Sequence, residues 1–450
     1  MRNQIPRVRK YAAKLTGDYQ PLPGQKAGFK LAVGDQVAAE HYVKTLSLPA
    51  ILQNHYMIFA KQVLKIKKTH SATIAADEAC YLRDHWVSRG LDATATDGII
   101  THYGLPTCIG PAPPTCAWSY KMKLTFSGNV SATNLDDFPV LVYLHAGNFN
   151  FNHAQNNGED IRFMDSDTCP TDGTPLKHEI EKWDKPNQKA WVWVKVPRID
   201  GNSVTDFIYM FFGNPVAPDG QDRPNVWTSG YVAVFHMRDT TTSTVTDSTS
   251  NNWLGTKFAI NQPIETVSGE VNSAQDFDGT EDMIDLPSGM ALSGASQVTI
   301  SAWVYRRSTA GSYLDAVYCD KYPSDSTRTG LYIKNVDSKA IFLATGADLI
   351  ASIAVPMDTF TLITATFRSG GSKNIYYDGV NKGTNAAGAN LSALAYQYIH
   401  IGKQTAGVGD IDGIIDEVRV ANVERTPDWV MGQYLAQANL LITYGAEEPS

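Results

Sequence analysis

Residues 276–289 read DFDGTEDMIDLPSG, residues 298–304 read VTISAWV, and residues 411–425 read IDGIIDEVRVANVER. Each holds a short apolar run ended by turn residues, the pattern of a strand rather than a helix. Val298–Tyr305 (VTISAWVY) is the clearest, and Gly413–Arg419 is a second. Between them lie Gly330–Ile333, Ala340–Ala344, Phe360–Phe367 and Asn374–Tyr377, and Asp378-Gly379 supplies a hairpin turn signal. This series starts near Tyr231 and runs to Val420. Trp303, inside VTISAWV, is expected to be buried.

Upstream lies another strand series, separated by turns such as Asp200-Gly201-Asn202. Its members are Lys121–Phe126, Val140–Leu144, Ile161–Met164, Ala190–Val196 and Asp206–Phe212. The two series exceed one sandwich, which puts a boundary near Trp227. Residues 426–438 read as a helix capped by Thr426 with Pro427 at its first position, and a last strand-like piece follows at Leu440–Tyr444. Residues 1–100 differ in kind. They carry 14 Lys and Arg against 8 Asp and Glu, whereas the remainder carries 24 against 38. Apolar spacings of three and four predict helices over Val37–Lys68, broken at Pro49, over Ser71–Ser88 and over Thr96–Tyr103. The Pro-rich LPTCIGPAPPTC then acts as a linker. The expected organisation is a helical unit 1–110, a linker 111–116, a β-sandwich 117–227, a jelly roll 228–425, and a helix with a closing strand at 426–450.

The succession Phe277-Asp278-Gly279, Ile300–Val304, Tyr377-Asp378-Gly379 and Gly413–Arg419 resembles the laminin-G-like, concanavalin A-like jelly roll family. There an FDG strand precedes an "isaWv" strand, and a "G-x-IDEVR" strand closes the sheet. The resemblance implies the fold and leaves the ligand open, because the family includes glycan binders, adhesion modules and spacers. GEDIRFMDSD, LKHEIEKWD, KAWVWVKVP and DFIYMFFGN, within residues 158–214, resemble an uncharacterised β-rich family that precedes such modules in microbial and viral surface proteins. Residues 1–110 resemble no family. The fold class expected is mainly β, a sandwich plus a concanavalin A-like jelly roll, with a small helical amino-terminal domain.

Composition sets the exclusions. The chain has 450 residues, 43% hydrophobic and 19% charged, with a formal charge of −8. That excludes disorder over most of its length and argues against a whole-chain polyanion binder. No apolar run reaches the roughly 18 residues of a membrane span, and no signal peptide is recognisable at the amino terminus. Five cysteines are too few for a disulfide scaffold. Cys108 and Cys116 flank a loop that a local disulfide could close; free thiols in a reducing compartment are the alternative.

Four chemistries merit testing. Calcium takes six to eight oxygens. Val245–Gly255 (VTDSTSNNWLG) resembles the family's "D-S-S-G-N-x-N-x-G" turn, and Asp416 matches a family position. One structural calcium ion is therefore expected on Asp247 and Asp416, with carbonyls near Asn252 and Gly255; the alternative is that these residues only shape turns. Strand alternation puts Asp416 and Glu417 on opposite faces. Glycosidases need two carboxylates across a cleft; Asp410 and Asp412 share a face, but the E-x-D-x-E pattern is missing, so no enzyme is expected. HEIEKWD (178–184) places Glu179 and Glu181 together on a face read as a solvated strand edge. Glycans stack on loop aromatics, which nominates Tyr313, Tyr322 and Tyr396, with Tyr318 and Tyr398 nearby. Lys61, Lys65, Lys67 and Lys68 cluster near a helix end, where cations also meet the macrodipole; docking to an acidic protein surface explains them as well as nucleic acid does, and anchoring to a larger assembly is the reading favoured.

The function expected is a non-enzymatic structural protein on a phage virion, in many copies. Residues 1–110 would grip other virion proteins while the jelly roll projects and binds glycan. A cell-surface adhesin or filament subunit is the alternative, and a polysaccharide-active enzyme the third.

Overall fold

A computed structural model describes residues 116–450 except 242, 258–261, 267, 291, 310–312, 322–327, 392–397 and 405–408. Before residue 116 it describes 36, 39, 42–44, 53–69, 79, 82, 83, 87 and 93–105. The chain divides into two compact units, Met1–Thr115 and Cys116–Ser450.

The first unit is helical wherever it is described up to His102. Helix α1 spans Gln53–Thr69 and α2 spans Ala93–His102. Tyr56, Phe59, Ala60, Val63, Leu64 and Ile66 recur at helical spacing on α1 and are buried with Ile99 and Ile100 of α2. Pro49, Cys108 and most of the expected 71–88 helix lie outside the described residues. Of that helix, Ala79, Leu82, Arg83 and Val87 are described and helical.

The second unit holds two sandwiches. The first series gives β1 (Tyr120–Thr125), β2 (Leu135–His145), β3 (Arg162–Met164), β4 (His178–Asp184), β5 (Lys189–Ile199) and β6 (Phe207–Phe212). After the short helix α3 (Arg223–Val226) come β7 (Tyr231–Phe235), β8 (Thr244–Thr246), β9 (Leu254–Lys257), β10 (Ile264–Thr266), β11 (Ala274–Asp278), β12 (Ile284–Asp285) and β13 (Gln297–Arg306). Next are β14 (Leu314–Lys321), β15 (Arg328–Lys334), β16 (Lys339–Leu343), β17 (Leu349–Ala354), β18 (Phe360–Arg368), β19 (Ser372–Tyr377) and β20 (Val380–Ala386). Strands β21 (Tyr398–Ile401) and β22 (Asp412–Ala421), helix α4 (Pro427–Gln437) and β23 (Thr443–Pro449) complete the chain.

Among the described residues, the sheets β23-β1-β6-β3 and β2-β5-β4 face each other, and two eight-stranded sheets form the jelly roll. One of the latter runs β10-β11-β22-β13-β18-β19-β20 with β7 on β22, and the other runs β17-β16-β15-β14-β21-β12-β9-β8. Alternate residues supply each core, as the two-residue period requires. Val140, Val142 and Leu144 meet Val192, Val194 and Val196 in the first, and Val298, Ile300, Ala302 and Val304 point into the second. Asp378 and Gly379 both take positive φ, the hairpin geometry their sequence predicts.

The carboxy-terminal segment is not an appendix to the jelly roll. Strand β23 pairs with β1, and Trp429, Ala436 and Leu441 join the first core. Thr426 caps α4 by accepting from the Trp429 N–H (3.2 Å). The other flank of α4 covers the outer face of β13. Gln433 donates to Ser301 Oγ (2.9 Å) and Trp303 Nε1 donates to Gln437. This explains why β13 is buried on both faces, with Trp303 only 2% exposed. The jelly roll is thus inserted within the first sandwich.

Neither reading offered for Cys116, a loop disulfide to Cys108 or a free thiol, holds. Cys116 is bonded to Cys169, 53 residues away. Its partner is distant in sequence because the start of β1 and the turn after β3 are brought together by the pairing of both strands to β6.

Candidate functional site at the junction of the sandwiches

The outer face of the β2-β5-β4 sheet decides the junction. Strand β5 pairs Trp193 with Leu141 and Trp191 with Tyr143 on β2. At the Leu141 end the face is covered. Trp193 and Trp227 are buried there with Val226, Val234 and Val271.

Charge is buried with them. His236, just after β7, donates from Nδ1 to Glu417 Oε1 (2.5 Å) and lies 3.4 Å through Nε2 from Glu179 Oε2. Glu181 Oε2 is 3.5 Å from Nδ1. Trp227 Nε1 donates to Glu179 (2.6 Å), Trp193 Nε1 to Glu181 (2.8 Å) and Ser248 Oγ to Glu179 (2.8 Å). Arg419 grips Glu417 Oε2 through Nε (3.0 Å) and a terminal nitrogen (2.5 Å). Its guanidinium lies 4.3 Å from the Trp193 ring centre and 4.7 Å from that of Trp227. His236 and all three glutamates are at most 2% exposed.

Burial alone would push His236 down, but Glu417, Glu179 and Glu181 outweigh it and raise its pKa to about 10. Burial raises Glu181 to about 7. Burial would raise Glu417 and Glu179 as well, yet His236 holds both below the ordinary value, with help from Arg419 on Glu417. Burial, with Glu417 next to it, lifts Asp416 far above the carboxylate range. The Glu181, His236 and Glu417 ligand atoms lie within 4.8 Å of one another, a spacing open to a metal. The imidazolium and guanidinium already supply the cations here, so the set is a closed ionic network.

Two expectations fail at this point. HEIEKWD is no solvated edge, because its acidic face is the junction itself. Asp416 and Glu417 do not diverge either. Glu417 takes φ +51°, and the β13–β22 register slips between Ser301 and Trp303, a β-bulge. Ile415 and Val418 therefore enter the jelly roll core while Asp416, Glu417 and Arg419 all face the junction. The signal available in sequence was the match of alternating Glu on β4 to alternating Trp on β5.

The calcium set does not fit its ion. Asp247 Oδ1 accepts from the Val234 and Thr249 N–H groups (both 2.9 Å). Its Oδ2 accepts from Thr249 Oγ1 (2.6 Å) and the Trp253 N–H (3.2 Å). Its lone pairs are filled by protein donors, as in the turn-shaping alternative. Asp416 Oδ2 accepts from Val271 N–H (2.8 Å), so the two aspartates have no partner in common. Asn252 shapes the turn with φ +50°, and Gly255 pairs with Val245. Tyr313 is 59% exposed, whereas Tyr318 is buried; Tyr322 and Tyr396 lie outside the described residues. Asp410 is held by Lys403, and Asp412 by Arg307 (2.8 Å) and Ser308.

Beyond the covered end, the outer face opens into a groove of about 600 Å³. Tyr143 and Trp191 line it, with ring centres 5.1 Å apart. Lys182, Asp184, Asn187 and Lys189 of the β4–β5 hairpin border it, as do Glu270 and Asn272 from the β10–β11 loop and Asn439 after α4. Asn272 Nδ2 also donates to Glu181 Oε1 (3.2 Å), joining groove to cluster.

Residues 278–431 match the concanavalin A-like lectin/glucanases superfamily, and residues 157–256 match a domain family of unknown function. The second match runs past Trp227 into β9. No curated protein matches the chain. Among solved structures, domain 4 of an extracellular arabinanase from Geobacillus stearothermophilus, in complex with arabinotriose, is 18% identical over 45% of this chain and 97% of that one, with TM-score 0.34. The botulinum neurotoxin serotype G binding domain is 15% identical over 46% of this chain and 51% of its own, with TM-score 0.36. Trypanosoma rangeli sialidase is 13% identical over 54% and 42%, with TM-score 0.34.

Proposed function

We propose that this chain is a non-enzymatic carbohydrate-binding protein displayed on a surface, anchored through residues 1–110. The observation that carries the reading is the lectin-superfamily match over residues 278–431, on a jelly roll locked to a second sandwich. Asp410 and Asp412, the nearest to a catalytic pair, are engaged by Lys403 and Arg307, which supports binding over hydrolysis. The Cys116–Cys169 bond supports exposure to oxidising surroundings. Among the described residues no helix is long and apolar enough to cross a membrane. The surface in this proposal is that of a phage virion, where many copies would turn weak glycan contacts into firm attachment. A cell-surface adhesin meets the same chemistry. Cryo-electron microscopy of native particles tests the display. Residues 1–110 seated in a capsid or tail lattice support the virion, and a cell-envelope location replaces it. Reducing-end release from a polysaccharide by the purified chain would overturn the non-enzymatic reading.

A further inference from the structure

We propose that the groove over Tyr143 and Trp191 is the glycan site and that it takes a neutral oligosaccharide. This rests on the carbohydrate-binding reading and moves its site off the jelly roll loops. The strand period puts Leu141, Tyr143, Trp191 and Trp193 on one face of the β2-β5-β4 sheet. The jelly roll buries Leu141 and Trp193 and leaves Tyr143 and Trp191 half-buried, facing the groove. Such a pair offers flat apolar surface for the C–H faces of sugar rings, and Tyr and Trp pair an apolar body with a polar tip.

Polar groups converge around the platform. Asp184 is fixed by the Asn187 side chain (2.9 Å) and backbone N–H (3.2 Å), and these bonds hold its carboxyl below its ordinary value. It stays ionised and accepts from sugar hydroxyls, while Lys182 and the amide of Asn439 can donate. Asn272 is oriented by Glu181 below. A few placed polar groups beside an aromatic wall, in a cleft of about 300–1,000 Å³, are the general form of a small-ligand site. Lys182 and Lys189 are matched by Asp184 and Glu270. The groove therefore has no net charge with which to select an acidic sugar.

The test is calorimetric titration of the full chain with xylo-, manno-, arabino- and cello-tetraose, and with sialyllactose and tetragalacturonate. We expect at least one neutral tetraose to bind, with a loss of tenfold or more on Trp191→Ala and several-fold on Asn187→Ala, and no change on Tyr313→Ala. Asn187 is exposed, so its variant reads the groove even if Trp191→Ala fails to fold. Binding that survives both groove substitutions within twofold overturns the site and leaves the carbohydrate reading standing. Binding of the acidic probes alone overturns neutrality. Binding of none overturns both readings.

Discussion

His236→Leu tests the junction most directly. In the native protein the imidazolium packs against both Trp193 and Trp227 and is shared by Glu417, Glu179 and Glu181. Leucine fills much of the same space and removes the charge. A His pKa of about 10 against an ordinary 6.5 is equivalent to at most about 5 kcal/mol in favour of the charged form. Removing one partner of a buried ion pair costs about 3–5 kcal/mol by direct measurement. We expect a loss in that range at pH 7, read from urea unfolding of the full chain by tryptophan emission. In the variant Arg419 still neutralises Glu417, but Glu179 keeps only Trp227, Ser248 and the more distant Arg238 (3.7 Å). Its carboxyl should then fold protonated. The cost of that protonation falls by about 1.4 kcal/mol per pH unit, so the deficit should shrink by about 2–3 kcal/mol between pH 7 and pH 5. A loss under about 1 kcal/mol at pH 7, or an equal loss at both pH values, would show that the cluster is not the ionic clamp described.

The native protein should have its own pH signature. His236 is raised from 6.5 to about 10, so its contribution is complete below 6.5 and lost as pH rises to about 10; Glu181, raised from 4.5 to about 7, also favours the fold at lower pH. Glu179 and Glu417 are lowered and contribute above 4.5, losing that contribution as pH falls through their folded values. Unfolding midpoints should therefore peak between about pH 4.5 and 6.5 and decline toward pH 10; a midpoint that rises over pH 7–10 contradicts the network. Cys169→Ser opens a loop spanning 53 residues and should remove about 4 kcal/mol on chain-entropy grounds, measured by the same unfolding assay. Asp247→Asn leaves buried N–H groups facing an amide and should cost about 1–3 kcal/mol, equally with calcium or with a chelator. A calcium-dependent difference would restore the metal reading.

The strands were legible because each obeys a local rule. Val298–Tyr305 and Ala190–Val196 announce themselves by composition and by the turns that bound them, and both lie within observed strands. The same holds for Thr426 and Pro427, whose capping role depends on no residue farther than Trp429. What the sequence concealed depends on contacts between distant segments. Cys116 meets Cys169 only after β3 and β1 have both paired with β6. Glu417 leaves the strand period because of a bulge, and nothing local in IDEVR signals that its backbone will take a positive φ. Glu179 and Glu181 read as solvated because a buried carboxylate requires a partner. Those partners are Trp227, at the expected boundary, and His236, beyond it.

That boundary is where local reading and three-dimensional structure diverge most. The sequence pattern puts the end of one sandwich at Trp227, yet this residue is 2% exposed and donates to Glu179. A flexible linker there would leave Trp193, Trp227 and Arg419 in water and part Glu179 and Glu181 from His236, which stays with Glu417 on the jelly roll. The chain also crosses between the sandwiches a second time. It leaves the jelly roll after β22 and returns through α4 to pair β23 with β1. With two crossings and a charged, aromatic core between them, hinge motion requires the ionic network to break. The groove inherits this rigidity. Its platform stands on β2 and β5, its far wall on the β10–β11 loop, and Asn272 ties that wall to Glu181. A site shared between two sandwiches keeps a fixed width only if the sandwiches do not move. The buried cluster is therefore the structural condition for the groove, and His236→Leu should weaken oligosaccharide binding without touching a groove residue.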